Sequence, residues 1–309
     1  MVVSPDVGID VGVSRVRGKY LVTSSDPITG TRVRVGWHAV NVSANDVATS
    51  GIMPELLNVV ALFPSNTSGG TIQRVMNEIN GTALNLGITV AGGHTEITHL
   101  VKRPIITVTA IGTGKKFVTA ADARPGDSIL MTKTAGIEGT SILARLPKVT
   151  KLVSRSIADL GASLIEDLSV MKEARAAFAT GRVHAMHDVT EGGVLGAVYE
   201  MSVASGLGFE IIEEKVPIDE STGVICSRLS INSLKLIGSG SLLIACTAGD
   251  EETICGQLKR LGIGCNSIGS FLPSEKGRFL RRSRNRIRIT EDSIQDELWG
   301  VLRKYGNLS

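Results

Sequence analysis

The sequence predicts an α+β protein built as two domains, on three observations. At 309 residues the chain is longer than one small hydrophobic core fills, so two domains of roughly 100 to 200 residues are expected. Its composition, 42% hydrophobic with 35 glycines, is that of a glycine-punctuated globular chain and excludes a disordered or collagenous one. The apolar pattern also changes period repeatedly, from short continuous runs to helical stripes and back, which mixes strands with helices throughout.

In the first half, residues 20–23 read as a strand and 37–50 as a helix. In that helix Trp37, Val40, Ala44, Val47 and Ala48 share one stripe, and Asp46 falls on the opposite side of the wheel. A helix that only packs against a core needs no acid there. Residues 56–63 form a continuous apolar strand closed by Pro64, and a Ser-Gly-Gly turn leads into a helix over 71–86 on Ile72, Val75, Met76, Ile79 and Ala83. Strands over 89–91 and 105–111 follow, and the unit closes near Gly114-Lys115-Lys116.

The second half opens after the turn Arg124-Pro125-Gly126-Asp127, with a strand over 128–132 and a helix from about Glu138. Helix covers 153–179 with a break, and a strand over 184–189 runs into a Gly192-Gly193 turn. A helix bearing Val194, Ala197, Val198 and Met201 on one face comes next, followed by strands over 209–213 and 241–247. Asp250 reads as the N-cap of a helix ending at Gly262, and a last strand spans 266–272. The domains are placed at 1–118 and 119–309.

Several function classes are excluded by composition. No run approaches the ~18 apolar residues of a membrane span, and Met1-Val2-Val3-Ser4-Pro5 is not a secretory leader, so a cytoplasmic protein without a membrane partner is expected. Cys226, Cys246, Cys255 and Cys265 have no zinc-type spacing and are expected as four buried thiols. A net charge of +3 gives no global pull toward nucleic acid. Arginines do crowd positions 278–288, but Arg284-Asn285-Arg286-Ile287-Arg288-Ile289 alternates like a strand with one solvated face and has no interleaved aromatics.

The chemistry concentrates in two runs, Asn45-Asp46-Val47-Ala48-Thr49-Ser50-Gly51-Ile52-Met53-Pro54 and Gly92-Gly93-His94-Thr95-Glu96. Neither a P-loop nor a dinucleotide fingerprint is present: Gly112-Thr113-Gly114-Lys115-Lys116 lacks the hydroxyl and the leading glycine spacing, and Gly238-Ser239-Gly240 lacks the third glycine. A nucleotide would therefore be held through magnesium on carboxylates, for which Asp10, Asp26 and Asp46 are the candidates. Each has a plainer alternative, Asp26 as an Asp-Pro turn initiator and Asp46 as a surface helical acid. Asn45 suits a phosphate contact or a neighbour of a metal ligand.

Gly92 and Gly93 permit both a tight turn and close approach of a phosphate. His94 and Glu96, alternate residues at a strand exit, face one side and either share a ligand or hydrogen-bond to each other. His184 and His187 point to opposite faces of their strand, which argues against a metal site there, and Asp188 begins a turn expected to line an interdomain cleft. Lys133 is either a phosphate contact or a solvated lysine.

Asp26-Pro27-Ile28-Thr29, the Asn45-Asp46 run, Gly92-Gly93-His94-Thr95-Glu96, Pro125-Gly126-Asp127 and His187-Asp188-Val189-Thr190-Glu191-Gly192-Gly193 occur in this order. Together they resemble the aminoimidazole ribonucleotide (AIR) synthetase, or PurM-like, superfamily, and most of all its archaeal HypE-related (hydrogenase expression/formation protein-related) group. The resemblance spans residues 7–272. It implies an N-terminal ATP-binding and dimerisation domain whose sheet forms a barrel across a homodimer. A C-terminal α/β sandwich domain related to AIR synthase would follow, ending in a strand and a helix.

The cofactors implied are ATP and Mg2+. Metal would be held at Asp10, Asp26 and Asp46, and nucleotide at Asn45, Asp46, Gly92, Gly93, His94 and Thr95, with His94, Glu96 and Asp188 as catalytic residues. The activity implied is transfer or use of the ATP γ-phosphoryl group on a small acceptor, whose identity the motifs do not name. A maturation or scaffold protein without turnover, or a kinase resembling thiamine-monophosphate kinase, are the alternatives. Relatives often carry an acid at the position of His94, and a neutral imidazole is a poor magnesium ligand, so His94 is expected at a phosphate or the acceptor. HypE proteins carry a carbamoyl group on a C-terminal cysteine, whereas this chain ends Tyr305-Gly306-Asn307-Leu308-Ser309, so the thiocyanate-forming reaction is not expected.

Overall fold

Alternate burial along two central strands sets the first unit. The computed structural model describes residues 1–4, 6–29, 31 and 33–306. Its first unit, Met1–Pro5 with Asp10–Phe117, contains β1 (Gly12–Val16), β2 (Lys19–Ile28), α1 (Val35–Thr49), β3 (Pro54–Pro64), α2 (Gly69–Leu86), β4 (Thr89–Thr98) and β5 (Ile105–Gly114). The five strands form one sheet in the order β1-β2-β5-β3-β4, with β3 and β4 parallel and the other pairs antiparallel. Leu57, Val59, Ala61 and Phe63 of β3 and Ile106, Val108 and Ala110 of β5 point inward, as the period of two requires. The opposite face leaves Leu56 and Val60 exposed.

Two expectations need correction here. The helix was expected to bury a single stripe, but α1 is buried around nearly its whole circumference, including His38, Asn41, Ser43, Asn45 and Asp46. It packs on β2, β5 and α2 together, so its polar residues find partners inside: Ser43 Oγ donates to the Val108 carbonyl at 2.9 Å and Asn41 Nδ2 to that of Trp37 at 2.9 Å. Asp26-Pro27 is not a turn. It lies within β2, opposite Val108 and Thr107 of β5, because strand pairing here runs well past the apolar run over 20–23.

The second unit, Asp6–Ile9 with Val118–Ser309, is built on a seven-stranded sheet. Its elements are β6 (Ser128–Thr132), α3 (Ile137–Leu143), α4 (Arg155–Ser163), α5 (Met171–Ala179), β7 (Val183–Asp188), α6 (Gly193–Ala204), β8 (Gly208–Ile212) and α7 (Glu220–Leu229). There follow β9 (Leu242–Cys246), α8 (Glu251–Lys259), β10 (Cys265–Leu272), β11 (Arg278–Arg282), β12 (Asn285–Arg288) and α9 (Glu297–Tyr305). The strand order is β12-β11-β8-β10-β6-β9-β7. One core joins the sheet to α6 through Ile129, Met131, Phe209, Leu243, Val194 and Val198, and a second holds α3, α7 and α9 together through Leu143, Ile225, Leu298 and Leu302. The helix α7 escapes a hydrophobic-period reading because small polar residues, Ser221 and Thr222, fill half of its inner face.

Lys133 is neither a phosphate ligand nor solvated. With φ of 52°, it turns its ammonium inward, where Nζ donates to the carbonyls of Asp167, Ser169 and Gly240 at 2.7–2.9 Å and meets Glu173 Oε1 at 2.5 Å. The expectation of four thiols also fails: Cys255 of α8 and Cys265 of β10 form a disulfide. Burial pushes the thiols of Cys226 and Cys246 up to about 12, which disfavours the reactive thiolate. The arginine-rich hairpin β11–β12 is answered by acids of its own unit: Arg282 pairs with Glu213, and Arg286 with Glu210 at 2.9 Å. Among the described residues no helix is long and apolar enough to cross a membrane.

Replacing Lys133 by Ala strands Glu173, whose side chain is 2% exposed, together with three carbonyls. We expect a loss of about 3–5 kcal/mol, read as a lower midpoint in urea unfolding.

Candidate functional site

In the first unit a single hydroxyl gathers two of the candidate acids. Ser24 and Asp26 lie two residues apart on β2 and so share a face, and α1 delivers Asp46 to the same place. Ser24 Oγ lies 2.6 Å from Asp46 Oδ2 and 3.3 Å from Asp26 Oδ2. A hydroxyl has one proton, so the shorter contact takes it, and the donation lets Asp46 stay in a helix position only 6% exposed. Asn45 is wholly buried, which removes its solvated reading. Asp10 lies half-buried ahead of β1.

The glycine motif is placed differently from expectation. Gly92-Gly93-His94-Thr95-Glu96 does not follow a strand but lies inside β4, the edge strand, parallel to β3 with Gly93 opposite Val59. A Cβ at Gly93 (φ 151°) would sit 1.9 Å from the Val59 carbonyl oxygen, so the pairing requires glycine, while Gly92 has only the Asn58 Oδ1 at 3.1 Å to meet. His94 and Glu96 share a side, Nε2 to Oε2 3.7 Å, with both side chains more than half exposed. Thr95 is exposed between them. Because β5 and β3 intervene between β2 and β4, strand spacing separates the β2 acid from this motif by roughly 14 Å within one chain.

In the second unit Asp188 closes β7 with no exposure, and the turn after it starts α6 through two left-handed glycines, Gly192 (φ 78°) and Gly193 (φ 63°). His187, also buried, has Nδ1 2.5 Å from the Asp188 carbonyl oxygen and Nε2 3.5 Å from Glu200 Oε2. His184 faces the other way, to Asp127 Oδ2 at 2.9 Å and Arg124 Nη1 at 3.1 Å, as the strand period predicts. Sequence reasoning gave no site role to two residues. One is Ser24; the other is Asp296, which accepts from Gly192 N–H at 2.8 Å while its other oxygen caps α9 through Leu298 N–H at 2.7 Å. Ser24 had a signal in its spacing from Asp26. Asp296 had one in its place before a helical run, though nothing local ties it to Gly192.

Five mixed strands under two helices, joined to a helix-covered seven-stranded sheet, define a PurM-like α+β protein with a carboxylate cluster in its first unit. Residues 8–114 match the family of AIR synthase related protein, N-terminal domain, and residues 124–281 the corresponding C-terminal domain family; the chain belongs to the AIR synthase related proteins. A putative hydrogenase expression/formation protein of Methanocaldococcus jannaschii is 26% identical over 79% of this chain and 72% of its own length. Carbamoyl dehydratase HypE of Cupriavidus necator is 26% identical over 82% of this chain and 71% of its own length. A solved structure of hydrogenase maturation protein HypE in complex with ATP has a TM-score of 0.76 at 22% identity, covering 88% of this chain and 85% of that one.

The two glycines of β4 are predicted to differ on substitution. Gly93→Ala drives a methyl into the Val59 carbonyl and costs more than about 3 kcal/mol, whereas Gly92→Ala asks only the Asn58 amide to shift and costs less than about 1 kcal/mol. Thermal unfolding of the two variants checks the difference.

Proposed function

We propose that this protein is a homodimeric, magnesium-dependent ATP-using enzyme that transfers the γ-phosphoryl group to an oxygen of a small acceptor. The observation that carries the reading is the Ser24 cluster: Asp26 and Asp46 bring two carboxylates to one hydroxyl, a set of hard oxygens that suits Mg2+. Bound there, the ion would neutralise charge on the nucleotide phosphates. Asp10 is proposed as a third acid of the set. Ser24 orients Asp46, and Asn45 supports it from within α1. The exposed backbone of Gly92 and Gly93, with His94 and Thr95, is proposed to approach the phosphates, and the exposed His94 and Glu96 to contact the acceptor. Asp188 is proposed as the catalytic carboxylate of the second unit.

Likeness to an ATP-bound HypE supports the nucleotide, and the name of the Cupriavidus necator relative supports an amide or carbamoyl oxygen as the acceptor class. The homodimer is supported by the sheet itself. Leu56 and Val60 are exposed on the outer face of β3, and beside it β4 presents an edge with no strand partner among the described residues. A second copy would cover that face and close the sheets into a barrel.

ATP titrated calorimetrically into the purified protein is expected to bind only with Mg2+, with slow ADP release once acceptor is present. Asp46→Asn and Asp26→Asn should each weaken binding at least about tenfold without loss of helix signal, since each removes a full charge from the cation's shell. Equal binding in EDTA and in both variants would refute the magnesium site. ATP binding with no turnover on any amide or carbamoyl acceptor would leave a nucleotide-binding maturation protein instead. In sedimentation, Val60→Lys is expected to run as a monomer where the parent runs as a dimer.

A further inference from the structure

The 3-10 turn Glu291–Ile294 and α9 lie beyond residue 281, where the family match ends, and they lie against the motif that follows Asp188. Four contacts make the attachment. The Ile294 carbonyl oxygen would be 2.7 Å from a Cβ at Gly192, Asp296 Oδ2 accepts from Gly192 N–H at 2.8 Å, and Trp299 Nε1 donates to Glu191 Oε1 at 2.6 Å. Glu297 Oε1 meets Lys235 Nζ at 3.3 Å, and the Leu234 and Leu236 carbonyls of that neighbouring turn lie where a Cβ at Gly193 would fall. Leu298, Val301 and Leu302 then anchor the helix in its own hydrophobic cluster. The turn that follows Asp188 is thus held from outside by one C-terminal segment.

We propose that residues 291–305 form a clasp on the Asp188–Gly193 turn, with Asp296 as the positioning residue whose carboxyl group closes it and whose ionisation loosens it. Resting on the reading of Asp188 as a site residue, this makes the C-terminal segment the regulator of that residue's turn. The charges around Asp296 explain the direction. Glu191 faces it from the turn before α6 and Glu138 from α3, and on α9 the neighbouring Glu297 is already engaged by Lys235. Burial, reinforced by Glu191 and Glu138, pushes the Asp296 carboxyl up to about 6 against the pull of its two backbone N–H donors.

A carboxyl whose pKa is higher in the closed form than in the open one closes more firmly when protonated. Between the ordinary value of 3.8 and about 6, rising pH therefore loosens the clasp, and above that range the loosening is complete. The gap corresponds to a closing equilibrium changed by up to about a hundredfold.

Hydrogen exchange of the full chain, without nucleotide, tests this on the peptide carrying Glu191–Val194. After correction for intrinsic exchange, protection in the parent is expected to be about tenfold greater at pH 5 than at pH 8. D296N, which removes the charge and keeps one acceptor oxygen, should be flat with pH. D296A should be weakly protected at both. Protection in D296A equal to the parent, or a pH response persisting in D296N, overturns the clasp; if D296A does not fold, the D296N profile alone decides. Because ATP is absent, failure of the nucleotide reading leaves this measurement standing, and ATP binding by the parent with unaltered exchange in D296A sinks the clasp alone.

Discussion

A buried carboxylate has to be answered, and in the first unit the answer to Asp46 organises what surrounds it. The helix α1 is enclosed by β2, β5 and α2, so it has almost no solvated side on which to place an acid. Asp46 is tolerated because β2 continues past its apolar start and brings Ser24 within 2.6 Å. The same extension carries Asp26 onto the same face. A cluster of hard oxygens thus arises from one strand being longer than its hydrophobic run, and a cluster of that kind is costly unless a cation or donors offset it.

The second unit meets a similar demand with cations and backbone donors supplied from far along the chain. Lys133 reaches three carbonyls and Glu173, tying the segments at 167–169 and 240 to α5. Asp296 does the reverse, offering an acceptor to the orphan N–H at the head of α6. The head of α6 is thus fixed at Gly192 by a group 104 residues away. Gly192 and Gly193 permit this, since the left-handed backbone they adopt leaves carbonyl groups of neighbouring segments where side chains would otherwise lie.

The sheet of the first unit is finished on one face only. Helices cover Leu57, Val59 and Phe63, while Leu56 and Val60 on the opposite face remain exposed, and Gly93 brings the backbone of β4 so close to β3 that no side chain fits between. In the proposed homodimer a second copy would cover that face and approach the glycine motif. Within one chain, roughly 14 Å separates the strand of Asp26 from that of Gly92.

By itself the sequence determined most of the alternation of strands and helices, since hydrophobic period follows directly from backbone geometry, and it marked the motifs because acids and paired glycines stand out against that period. It also separated His184 from His187. It did not reveal α7, whose inner face is half Ser and Thr, nor the true extent of β2 and β4, because strand ends are set by what pairs with them. Tertiary structure alone decided which acids meet, that Lys133 turns inward, that Cys255 joins Cys265, and that Asp296 closes on Gly192. Most of these are contacts between residues distant in the chain, and their energy depends on burial and on a partner's orientation, which no local pattern encodes.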